Sequence, residues 1–78
     1  MTVTVSRLQA VNATMAVLDC DYGVFSLQAD DLYELNEEEN EWEPVDWDIV
    51  AEDVKLEADY VELSEALQNC LDGYNSVK

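Results

Sequence analysis

Residues 4–23 read TVSRLQAVNATMAVLDCDYG, and the fold turns on how they are read. Leu8, Val11, Met15 and Leu18 fall at offsets of 0, 3, 7 and 10, the spacing of one helix face. Thr4 or Ser6 is placed to cap such a helix, and Gly23 lies just past its end. This spacing predicts a helix over 6–19. The competing reading is two strands, VTVSR and MAVLD, because β-branched residues are common here.

Downstream, GVFSLQ has strand character, bounded by Gly23 and by the ADD at 29–31. LYELN either pairs with it as a hairpin or, with Asp30 as its cap, forms a short helical turn. EEENE is a solvated turn on either reading. EPVDWDIV then alternates, with Val45, Trp47 and Ile49 on one side and Asp46 and Asp48 on the other, which predicts a half-buried strand. Pro44 restricts that strand to a sheet edge or to starting there, since proline has no N–H for a ladder. Leu56, Tyr60, Leu63, Leu67, Cys70 and Tyr74 recur at steps of three and four. With Asp59 as N-cap, Glu62 completing a capping box and Gly73 just past the end, they predict a helix over 60–72. The expected architecture is α+β: N-terminal helix, small antiparallel sheet and C-terminal helix, in a single domain over 1–78.

The chain has 78 residues and a formal charge of −16, from 19 acids against three bases. Its 49% hydrophobic content argues against disorder, which needs low hydrophobicity as well as high charge. Residues 1–18 contain no acid, whereas residues 30–72 contain seventeen acids and one base, Lys55. Such a surface opposes direct binding to nucleic acid or to an anionic membrane and favours basic proteins or cations.

Two cysteines, Cys20 and Cys70, do not make a disulfide framework, and free thiols in a reducing cytoplasm are expected. With no His and two Cys, no structural zinc site is expected, and no cofactor is implied. No stretch reaches the ~18–20 apolar residues of a membrane span, and no basic segment precedes an apolar run as in a signal peptide. VLDC at 17–20 resembles a lipoprotein cleavage site, but Asp19 stands where a small residue is needed.

Catalytic patterns are sparse. The absence of His removes His-based triads, and two glycines leave no phosphate-cradling loop, so no enzyme is expected. DCDYGVFSLQAD at 19–30 spaces Asp19, Asp21, Gly23 and Asp30 somewhat like a calcium loop, yet Val24 occupies the required glycine position. The same region is similar to acyl carrier proteins through Ser26-Leu27, but Phe25 replaces the aspartate of that motif.

The strongest signal is NEEENEWEPVDWD at 36–48, where seven of thirteen residues carry carboxylates and none is basic. On an extended strand alternate residues lie ~6.6 Å apart. Glu39, Glu41 and Glu43 would then form a row opposite Trp42, continued past Pro44 by Asp46 and Asp48. Asp59, Glu62 and Glu65 would form a second row on the helix. Rows at this spacing approach the phosphate spacing of nucleic acid. In size, acidity and interleaved aromatics the chain resembles the small acidic DNA-mimic inhibitors of phages and mobile elements: anti-restriction proteins, anti-CRISPR proteins and uracil-DNA glycosylase inhibitors.

That resemblance implies occlusion of a nucleic-acid site on a basic protein or complex in the cytoplasm, the host's if the chain is phage-encoded. The expected contact residues are Glu37, Glu38, Glu39, Glu41, Glu43, Asp46 and Asp48 as phosphate substitutes. Asp30, Asp31, Glu34, Glu52 and Asp53 extend the surface, and Trp42 is an apolar anchor. Trp47 reads as core. The alternative is an adaptor or regulatory subunit docking through an apolar face, with contacts at Leu8, Val11 and Met15, on a partner or in a homodimer.

Overall fold

Residues 4–23 fold as a hairpin, not as the expected helix. The computed structural model describes residues 3–76, in which β1 (Val5–Asn12) turns at Ala13–Thr14 into β2 (Met15–Cys20). Asn12 makes the turn: its Oδ1 accepts from the Thr14 backbone N–H at 2.9 Å and from the Thr14 hydroxyl at 3.0 Å. That local bonding favours a turn over helix interior. The strands also separate the four residues of the apparent helical stripe. Leu8 stands beside Leu18, whereas Val11 and Met15 fall on the opposite sheet face or at the hairpin end.

The chain continues as a meander. β3 (Gly23–Gln28), β4 (Asp31–Asn36) and β5 (Glu41–Pro44) follow, and the antiparallel sheet has the order β1-β2-β3-β4-β5. The segments GVFSLQ and LYELN thus form a hairpin, with Leu27 opposite Leu32 and Phe25 opposite Glu34. Register places Leu8, Ala10, Ala16, Leu18, Phe25, Leu27 and Leu32 on one face. α2 (Val54–Ser76) covers that face with Tyr60, Leu63, Leu67 and Leu71, all buried. Phe25 and Tyr60 meet edge to face, with centroids 5.2 Å apart.

Two helix expectations change. The strand expected over EPVDWDIV ends at Pro44, and α1 (Trp47–Val50) follows it. Asp46 decides this: its Oδ1 accepts from the Asp48 and Ile49 N–H groups at 3.0 and 3.4 Å. α2 begins at Val54 rather than 60, capped by Asp53, whose Oδ1 accepts from Lys55 and Leu56 N–H at 3.0 and 3.2 Å. Asp59 is therefore no cap but a buried mid-helix residue, and Gly73 lies within the helix.

α2 is tied to the sheet at both ends. Lys55 and Asp59 reach Tyr22 in the β2–β3 turn, and Asn75 donates to the Ala13 carbonyl at 3.0 Å. Both cysteines are free thiols, half-buried, and burial pushes the Cys20 thiol up. Ser26 is fully buried and accepts from Gln28 Nε2 at 2.8 Å, so it is not placed to carry an exposed prosthetic group. The calcium-loop candidate at 19–30 spans the β2–β3 hairpin. Among the described residues no helix is long and apolar enough to cross a membrane.

Candidate interaction surface

Residues 31–53 carry eleven carboxylates and no base, and they build one edge of the sheet with α1 beside it. The β4–β5 turn is organised by asparagines. Asn36 Oδ1 accepts from the Glu38 and Glu39 N–H groups at 3.1 and 3.3 Å, and its Nδ2 donates to Glu43 Oε1 at 3.0 Å. Asn40 takes the left-handed conformation, φ +55°, which asparagine tolerates better than most residues. The turn thereby holds Glu37, Glu38 and Glu39 exposed at its tip.

Within β5, Glu41 and Glu43 share the helix-side face and Trp42 lies on the other, beside Leu35. Glu43 is directly opposite Glu34. Burial raises the Glu34 carboxyl above the usual carboxylate range, a hydrogen bond from Tyr60 opposes the rise, and the Glu43 charge adds to it. Burial, followed by the Glu34 charge, pushes the Tyr60 hydroxyl up to about 12, so it stays a neutral donor. Glu34, Glu43 and Asp46 line a cavity of about 420 Å³ with Val45, Ile49 and Tyr60.

The expected row stops at Pro44. Asp46 and Asp48 sit on α1 instead of extending the β5 series, and Asp46 uses one oxygen as a cap. Asp53 is likewise both an exposed acid and a cap. Glu52 is exposed in the connection between the helices. Asp30 in the β3–β4 turn and Asp31 at the start of β4 lie at the opposite end of β4 from Glu37, ~20 Å away along an extended strand. They border a cavity of about 270 Å³ with Trp47, Ser64 and Glu65. The second expected row also breaks, because Asp59 is buried and bonded to Tyr22 and Lys55. The buried Glu62 Oε2 has no hydrogen-bond partner among the described residues.

The tryptophans lie on different surfaces. Trp42 is half-buried on the open sheet face near Tyr33 and Leu35. Trp47, expected as core, is 39% exposed, with its ring edge-to-face on Tyr60 at 6.3 Å. Ile49, which lines the other cavity, and Val54 are 63% and 82% exposed, flanked in the chain by Asp46, Asp48, Glu52 and Asp53. Sequence reasoning missed this apolar corner because it assigned Ile49 to a strand interior. The signal that would have exposed it is the pair of Asp caps, each followed by apolar residues on a new helix. Comparison with protein-family models, with curated proteins and with solved structures finds no match for this chain.

Proposed function

We propose that the protein binds a basic, nucleic-acid-binding protein or complex and occludes its nucleic-acid site. The contact is the edge made by β4, β5, the turn at 37–40 and α1. The observation that carries this reading is the α1–α2 corner. Ile49 and Val54 are exposed there, flanked by Asp46, Asp48, Glu52 and Asp53, and the adjacent base, Lys55, is paired with Asp59 instead. Exposed apolar side chains favour burial by a partner. Unpaired acids around them favour a partner lined with Lys and Arg and speed its association. Glu34, Glu37, Glu38, Glu39, Glu41 and Glu43 extend the anionic surface, which substitutes for phosphates as a patch and not as a row. Such a protein works in the cytoplasm, without a cofactor and without catalysis, and contacts neither nucleic acid nor membrane directly.

The test is capture of partners from host lysate, followed by competition against DNA or RNA for the captured protein. The D46N/D48N/E52Q/D53N variant serves as comparison, because Asn keeps both caps. The expected result is displacement of nucleic acid by the native chain, weakened at least ~10-fold by the variant and by ~0.5 M salt. A captured protein that keeps its nucleic acid, or binding indifferent to both changes, overturns the proposal.

One observation favours a second reading, an adaptor that docks through an apolar face. The sheet face opposite α2 carries Val17, Val24, Tyr33, Leu35 and Trp42, partly exposed and covered by no described element. On that reading Trp42→Ala abolishes binding and the acid variant leaves it intact.

A further inference from the structure

The sheet segregates its charge. β1 is one edge and β5 the other, so an acid-free edge strand lies four strand spacings, ~19 Å, from the edge strand that carries Glu41 and Glu43. That is about two Debye lengths at physiological salt. β1 is also the longest strand, eight residues, and all but Ala10 are exposed. Among the described elements its packing is mainly on β2 and α2, and no strand pairs with its outer backbone edge. Open edges of this kind are usually guarded by Lys, by Pro or by inward charges. β1 has no Lys, Pro or inward charge, and Arg7 is its only charge; bulge-like irregularities, another common guard, lie at its two ends, Val5–Arg7 and Ala10–Asn12, and leave a regular run over 7–10.

The hydrogen-bond alternation identifies which groups are free. The Ala29 N–H donates to the Thr14 carbonyl, and the Asp21 N–H donates to the Thr4 carbonyl. In an antiparallel sheet these directions alternate residue by residue. Even-numbered residues of β2 therefore bond to β3 and odd-numbered ones to β1. Asp19 and Val17 face Arg7 and Gln9, so Leu8 and Ala10 direct N–H and C=O outward.

We propose that β1 is a self-association edge. It pairs antiparallel with β1 of a second copy about a two-fold axis at Gln9, joining both sheets into one. Leu8 and the partner copy's Ala10 exchange two backbone bonds, and the axis repeats the exchange. On the α2 side Leu8, 40% exposed, packs beside that alanine. On the other face Gln9 meets Gln9, with each Arg7 two residues from the axis and bonded to its own Gln9, so no like charges stand directly opposite each other. A second copy fits this edge because β1 is the part of a chain of charge −16 that approaches its own copy without bringing strand carboxylates together. The acidic edges then point outward at the two far ends of the joined sheet. This inference does not depend on the partner proposed above.

Sedimentation velocity between about 10 µM and 1 mM tests it, with far-UV circular dichroism as the folding control. The native chain is expected to reach twice the monomer mass as concentration rises. Gln9→Lys sets ammonium groups face to face across the axis, each beside the Arg7 that bonds the Gln9 amide at 2.8 Å in the native chain. It should weaken the dimer at least ~10-fold at low salt, with recovery near 1 M salt. Ala10→Pro removes an outward N–H, a change that an edge strand tolerates, and should give a folded monomer. Glu41→Gln, on the far edge, should not weaken the dimer. A native chain that stays monomeric throughout, or a dimer indifferent to both β1 variants, overturns the proposal.

Discussion

Tyr22 and Asp59 meet across 2.7 Å, the phenol of the β2–β3 turn donating to a carboxylate that α2 holds only 5% exposed. Lys55, one helical turn before Asp59, reaches the same oxygen at 3.1 Å. A buried carboxylate is tolerated when it is bonded, and removing one of its donors reduces the compensation for its desolvation, with Lys55 still bonded to it. Tyr22→Phe is therefore expected to lower the urea midpoint, and more than Tyr74→Phe, which changes an exposed phenol.

Alkaline pH should unfold the chain early. The Asp59 bond, above all, raises both Lys55 and Tyr22 from their ordinary 10.5 and 10.0, and burial pushes Tyr60 up to about 12. All three groups keep protons in the folded state at pH values where the unfolded chain has begun to lose them. Unfolding then releases protons, so stability present below pH 10 falls as pH rises towards 12. Urea midpoints across that range should fall steadily, and Tyr60→Phe should flatten the decline.

Glu34 has the opposite consequence at acid pH. Its folded carboxyl titrates above the ordinary 4.5, so ionisation costs stability as pH rises through that value and beyond. Glu34→Gln removes that cost and the repulsion from Glu43. A gain under about 1 kcal/mol is expected at pH 7 from a like-charge pair of this kind, fading below pH 4.5. Paired urea titrations at the two pH values check it.

The β3–β4 turn stores strain. Ala29 and Asp30 have φ of +50° and +70°, the signature of a two-residue turn that prefers Asn-Gly. Ala29→Asn should raise stability by up to about 1 kcal/mol, because asparagine tolerates the left-handed region better than alanine. Chemical denaturation reads this directly.

The helix caps separate charge from structure. Asp46→Ala and Asp53→Ala should each cost about 1 kcal/mol, whereas the Asn replacements at the same sites should cost little. Denaturation of the four single variants decides whether lost partner binding reflects lost charge or a frayed helix.

The C-terminal helix was legible because Leu56, Tyr60, Leu63 and Leu67 repeat at helical spacing over several turns, a length on which strand and helix templates diverge. The N-terminal hairpin was not. Leu8, Val11, Met15 and Leu18 match a helix by coincidence across a turn, and the Asn12–Thr14 bonding that breaks it is too local for a periodicity test. α1 failed for a related reason: over Val45, Trp47 and Ile49 a period of two is too short to distinguish a strand from a capped helical turn. Residue types made the acidic surface legible, but its geometry depended on where β5 stopped.

The strand order has a kinetic corollary. Each strand pairs with its chain neighbour through a connection of two to four residues, so the sheet closes loop by loop at small entropic cost. α2, by contrast, must return from the acidic edge to lie over β1 and β2, bringing Asn75 to Ala13 across 62 positions. Low contact order within the sheet and one long closure at the end predict rapid zippering, with helix docking as the slow event. Cations that screen the acids between β4 and α2 should accelerate that event more than any strand pairing.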